Sequence, residues 1–342
     1  MSSAVTRCRS VWTGGAPMLA PPPLNPAPAT WSVSTNVPAT AGSYSVNSPV
    51  VYAAGTLYVP AETAEPNGAV LVSSDNGASW AAESVPSTYS SPFCLADFGG
   101  RVLAFCEDYA YTRGNPWTPY NSTKFYVSGL AFAGSYAKAA YGDGIGLFFV
   151  GTGTGYARST DGGVNWTLQA LPESQVQTGG RTLIYDGEQF VSLLNTSGGV
   201  DDQLITSPDG ITWVQQPFAH TAAGFNSLTY GGGLYIASNG SQVWVGDSIA
   251  ALAAAVPISP VLSKTITSSA ALEDGRLMVM CSDGTIYSSP NAGASWIEDT
   301  IDWTDTVGGT LAPVSPLPGA EAFAAAELAS GDGAFAVRLE LC

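Results

Sequence analysis

Apolar residues in this chain come in short runs separated by turn-forming residues, and the runs come in pairs. Residues 50–59 hold two apolar stretches around Ala54-Gly55. The layout recurs at 94–106 around Gly99-Gly100, 139–150 around Asp143-Gly144 and 183–194 around Asp186-Gly187. It recurs again at 228–237 around glycines 231–233 and at 270–281 around Asp274-Gly275. Each pair predicts a β-hairpin, because glycine supplies positive φ without steric cost and Asp folds its side chain onto nearby amides. No long stretch carries a convincing helical period; residues 248–255 and 320–328 are short and Ala-rich.

A second pattern follows the hairpins. Residues 73–80 read Ser-Ser-Asp-Asn-Gly-Ala-Ser-Trp, with Ser73, Asp75, Gly77 and Trp80 in fixed order. Ser159, Asp161, Gly163 and Trp166 repeat it; Ser207, Asp209, Gly210 and Trp213 form a shorter version. Ser289, Asn291, Gly293 and Trp296 repeat it with Asn for Asp. An apolar β-type run precedes the turns, and the tryptophan opens the next strand, where its indole can pack over the turn.

This pattern resembles the Asp-box, or bacterial neuraminidase repeat. The resemblance implies a β-propeller in which each box joins the third and fourth strands of a four-stranded antiparallel blade, as scaffold and not as catalyst. The tryptophans stand 86, 47 and 83 residues apart. Blades repeat every roughly 40–50 residues, so two intervals are double and two boxes have decayed. Residues 112–117, ending at Trp117, fit the first gap, and residues 242–248, around Trp244, fit the second less well. The six hairpins and a box-less unit at 310–341 give a seven-bladed propeller, with six blades as the alternative. A strand at 30–35 would complete the last blade. Pairing the two chain ends closes the ring and removes an open edge.

Composition narrows the function. The 342 residues form one closed ring over 30–342 preceded by an arm, 1–29, rich in Pro and Ala. The arm is extended and polyproline-like, and its apolar stretch is broken by Gly14, Gly15 and Pro17, unlike the core of a secretory signal. The formal net charge is −16, with only 11 Lys and Arg and no basic patch. That argues against nucleic acid, whose binding rests on neutralised phosphates. No apolar run is long enough to span a membrane. The five cysteines, 8, 94, 106, 281 and 342, have no metal-ligand spacing. Cys94 and Cys106 fall on paired strands where they can face each other; the simpler expectation makes Cys94, Cys106 and Cys281 buried thiols. Cys8 and Cys342 lie near the chain ends, where they can bridge subunits. No metal and no cofactor is expected.

The family resembled here includes sialidases, which use three convergent arginines, an Arg-Ile-Pro motif and a Tyr–Glu pair. No Arg-Ile-Pro occurs in the chain. Arg101, Arg113, Arg158 and Arg276 fall on the face of the hairpin and box turns, and only Arg181 falls on the opposite, pocket face. A glycosidase of another kind needs two carboxylates roughly 5–10 Å apart. Pocket-face loops offer Glu62, Glu65, Glu173, Asp201, Asp202 and the pair Glu107-Asp108, which Tyr109 and Tyr111 follow. The single His220, in a loop, has no partner for nucleophilic or metal chemistry. Between blades, residues 119–138 carry Tyr120, Phe125, Tyr126, Phe132 and Tyr136, suited to stacking on sugars or packing on a protein; Tyr44 and Tyr89 stand on neighbouring loops. The leading expectation is a non-enzymatic structural component of a bacteriophage virion, tail- or capsid-associated, tethered to other virion proteins by residues 1–29 and presenting a face to a host glycan or receptor. The alternative is a glycan-binding lectin or glycoside hydrolase working through the pocket face. A secreted bacterial propeller scaffold is a third possibility.

Overall fold

The computed structural model describes residues 31–34, 41–44, 50–63, 68–87, 92, 94–106, 108–114, 117–120, 137–149, 155–171, 177–180, 182–196, 202–218, 225, 227–258, 264–299, 301, 307–316, 322–328 and 333–338. The fold is all-β, a propeller of four-stranded antiparallel blades. Six sheets follow one another along residues 41–299, the count of the six-bladed alternative. A further four-stranded sheet joins the two ends of the chain.

The first sheet holds Ala41–Tyr44, Val51–Ala53, Thr56–Thr63, Ala69–Ser73 and Ala81–Ser84. The second holds Cys94–Asp97, Val102–Phe105, Ala110–Thr112 and Thr118–Pro119. The third holds Lys138–Gly142, Ile145–Phe149, Gly155–Ser159 and Thr167–Ala170. The fourth holds Gln177–Gly180, Ile184–Tyr185, Phe190–Thr196, Asp202–Ser207 and Val214–Gln215. The fifth holds Ser227–Gly231, Leu234–Asn239 and Gln242–Gly246. The sixth holds Ile266–Ala271, Leu277–Cys281, Ile286–Ser289 and Ile297–Asp299. The end-joining sheet runs Trp31–Ser34, Gly333–Arg338, Ala322–Leu328, Val307–Pro316, so Trp31–Ser34 pairs antiparallel with Gly333–Arg338.

Val51–Ala53, Cys94–Asp97, Lys138–Gly142, Ile184–Tyr185, Ser227–Gly231, Ile266–Ala271 and Val307–Pro316 touch one after another and form the inner wall. The hairpin turns behind these strands need positive φ, and Ala54-Gly55 (51° and 82°) and Asp143-Gly144 (49° and 78°) show it at both central positions. The core is not one mass. It is a set of apolar layers, each between two neighbouring sheets, such as Leu95, Cys106, Tyr111 and Trp117 with Val70 and Val72. A second layer packs Phe105, Cys94 and Ala110 against Phe148 and Ala157.

Two expectations need correcting. Trp244 does not follow a decayed box; it lies inside the strand Gln242–Gly246 and is buried. In place of a box, Ser248 caps the helix Ile249–Ala254, its hydroxyl accepting from the Ala251 amide at 3.1 Å. Gly246 makes room, since a Cβ there would stand 2.3 Å from the Leu252 nitrogen. The fourth strand shrinks to Ile258, which bridges Val243. Second, Cys94 does not face Cys106. Cys94 pairs with Phe105, so Cys106 is one residue along and points to the other side of the sheet. Both are free and buried, as is Cys281. Cys8 and Cys342 lie outside the described residues.

Candidate functional site

Three of the four repeat turns share one hydrogen-bond pattern. The buried Ser73 hydroxyl accepts from the Gly77 amide at 2.8 Å and donates to Asp75 at 2.8 Å. Asp75 in turn accepts the Ser79 amide at 2.9 Å. Ser159 and Asp161 do the same with Gly163 and Asn165, each bond between 2.8 and 2.9 Å. Ser289 and Asn291 repeat it with Gly293 and Ser295. The residue pairs at the bend have positive φ, 57° and 84° at Asn76-Gly77 and 52° and 87° at Ala292-Gly293, which is why glycine recurs at the second position. Hydrogen bonds from the Ser79 side chain and amide hold the Asp75 carboxyl at about 2. Amides of Thr212 and Ile211 hold Asp209 at about 2. Burial alone would raise the Asp161 carboxyl, but bonds from Asn165 outweigh it and leave it below its ordinary value.

The indole N–H groups find different acceptors. Trp80 and Trp166 donate to the carbonyls of Gly77 and Gly163 within their own turns, at 3.0 and 2.7 Å. In the shortened third copy Trp213 donates to the Tyr156 hydroxyl at 2.9 Å, and Tyr156 donates onward to the Gly210 carbonyl at 2.7 Å. A neighbouring sheet thus replaces the missing residue. Trp117, in the decayed copy, reaches back to Glu83 of the first sheet at 2.9 Å.

Polar ties of this kind recur at the joints between sheets. Arg113 holds Glu83 at 2.7 Å and the Tyr58 hydroxyl at 3.0 Å. Arg158 donates to the Asp209 carbonyl at 2.9 Å. Tyr235 donates to Asp186. Ser227 donates to the Ser269 carbonyl at 3.1 Å and accepts the Ser269 amide at 3.0 Å. Trp31 donates to Asp299 at 3.2 Å, tying the sixth sheet to the end-joining one. The joint between the second and third sheets is aromatic instead, with Phe105 stacked on Phe148 at 4.5 Å.

The acid-and-tyrosine cluster on the pocket face is not the surface its sequence suggests. Asp108 is 2 % exposed and Tyr111 is 1 % exposed. Asp108 accepts three donors: the Ser87 hydroxyl at 3.0 Å, the Tyr109 amide at 2.9 Å and the Tyr111 hydroxyl at 2.8 Å. Ser87 belongs to the link from the first sheet, so Asp108 sews that link to the second sheet. The carboxylate is held inward by buried donors from both sides, and hydrogen bonds to a charged acceptor are the stronger ones. Burial, followed by the hydrogen bond to Asp108, raises the Tyr111 phenol well above its ordinary value. Tyr109 is half-buried, edge-on to Tyr111 at 6.1 Å. Tyr120, expected on a free loop, lies under the Arg101 guanidinium at 4.6 Å. Glu107, Phe125, Tyr126, Phe132, Tyr136, Arg181 and His220 lie outside the described residues, as does the arm 1–29.

Sequence reasoning missed the tie residues Glu83, Ser87, Tyr156 and Asp299. Glu83 carried a signal: it stands on a run of otherwise small residues, where a lone acid asks for a partner. Among the described residues no group of three or more His, Cys, Asp or Glu is placed to hold a metal ion.

No family model matches the chain, and no curated protein matches it. Solved propellers do. A YCF48 bound to a D1 peptide superposes with a TM-score of 0.63 at 14 % identity, over 94 % of this chain and 98 % of that one. Virginiamycin B lyase from Staphylococcus aureus gives 0.66 at 10 %, over 91 % and 99 %. The WD40 β-propeller domain of Doa1 gives 0.60 at 9 %, over 90 % and 97 %. At these identities the likeness is one of fold.

Proposed function

We propose that this chain is a non-enzymatic docking propeller, a structural component of a bacteriophage particle at its tail or capsid. Residues 1–29 are the tether and residues 30–342 the propeller. The observation that carries the non-enzymatic reading is Asp108. A two-carboxylate hydrolase needs both acids open to a sugar, and this one is buried under three donors. The repeat turns serve as Asp-box scaffold, with their serines and aspartates occupied by their own backbone.

The pairing of Trp31–Ser34 with Gly333–Arg338 joins the two ends of the chain, and the Trp31 bond to Asp299 ties that sheet to the sixth. The virion assignment rests on sequence: a Pro- and Ala-rich arm, three lysines in 342 residues, and no arginine triad. A protein partner fits best, because the described polar chemistry is spent between blades and leaves shape and charge for recognition.

Immunoblots of gradient-purified particles test the tether. A chain lacking residues 1–29 is lost from the particle; unchanged incorporation defeats the reading. A reducing-sugar assay across a glycan panel tests the rest. Turnover that Glu107→Gln abolishes would establish the hydrolase instead.

A further inference from the structure

We draw no further inference here: the strongest candidate, the side-chain cluster on the hairpin-turn face where the carboxylates of Asp143, Asp186 and Glu188 lie near the Tyr185 phenol, is an acidic cluster with nothing in the structure to show what it would hold.

Discussion

Replacing Asp108 separates a structural carboxylate from a catalytic one. Asp108→Ala removes the acceptor for Ser87, the Tyr109 amide and Tyr111, and Ser87 and Tyr111 are 0 % and 1 % exposed. A buried donor left without an acceptor costs about 1–3 kcal/mol. The three are neighbours and do not add fully, so the expected loss is about 3–5 kcal/mol. Asp108→Asn keeps one oxygen for Ser87 and the Tyr109 amide. The new NH₂ then faces the Tyr111 hydroxyl, which can turn and accept it. That variant should lose only about 1–2 kcal/mol. Tyr111→Phe removes one bond to a charged acceptor and should lose about 1.5–3 kcal/mol. Guanidinium unfolding followed by tryptophan fluorescence reads all three, since Trp117 packs with Tyr111 in this joint. The order Ala worse than Asn is the signature. An Asp108→Ala variant within about 0.5 kcal/mol of the parent, the range of ordinary surface changes, would mean a solvated carboxylate and would return Asp108 to the list of catalytic candidates.

Other outcomes follow from the same geometry. Asp75 and Asp209 have folded-state values of about 2 against an ordinary 3.8, so the stability they lend is present above about pH 4 and lost as pH falls through about 2; Asp75→Asn and Asp209→Asn should flatten acid unfolding in that window. Asn291→Asp should give the fourth turn the carboxylate of the others and add about 0.5 kcal/mol at neutral pH, with the gain vanishing below pH 4; no change on titration would contradict the shared turn geometry. Tyr156→Phe should lose about 1–2 kcal/mol by leaving the Trp213 N–H and the Gly210 carbonyl without their bridge, read as a lower denaturation midpoint. Burial pushes Cys94 up to about 12 and Cys281 up to about 11, so neither should react with a thiol reagent at pH 8 until the protein unfolds.

The propeller was legible because its signals are local. Gly-containing turns between apolar pairs and the Ser-Asp-Gly-Trp spacing each act over fewer than ten residues, and local rules decide such turns. The pairing of the chain ends was legible too, since the C-terminal unit offered three strands and residues 30–35 a fourth. The fifth sheet was not. Trp244 resembles a box tryptophan in sequence, and nothing nearby announces that a six-residue helix takes over the turn. The Asp108 cluster failed for a related reason. An acid beside tyrosines on a loop reads as a binding surface, whereas its burial is decided by Ser87, on a link from another sheet. Pairings across a joint have no sequence period, so they stay hidden until the sheets are laid side by side.

Those joints explain where the polar residues went. A propeller blade buries both faces, and its neighbours are separate sheets with no shared backbone ladder. Apolar packing between them sets distance but fixes register poorly, because it is non-directional. A directional tie fixes register. Glu83 with Arg113, Ser87 with Asp108, Tyr156 with Gly210, Asp186 with Tyr235, Ser227 with Ser269 and Trp31 with Asp299 each supply one. Where the joint is aromatic, between the second and third sheets, the ring stack at Phe105 and Phe148 supplies the orientation instead. Among the described residues, Asp108 and Tyr111, which a catalytic reading would nominate, are therefore held at the joint between the first and second sheets. A function that recruits another protein to the outside of the ring asks nothing of them.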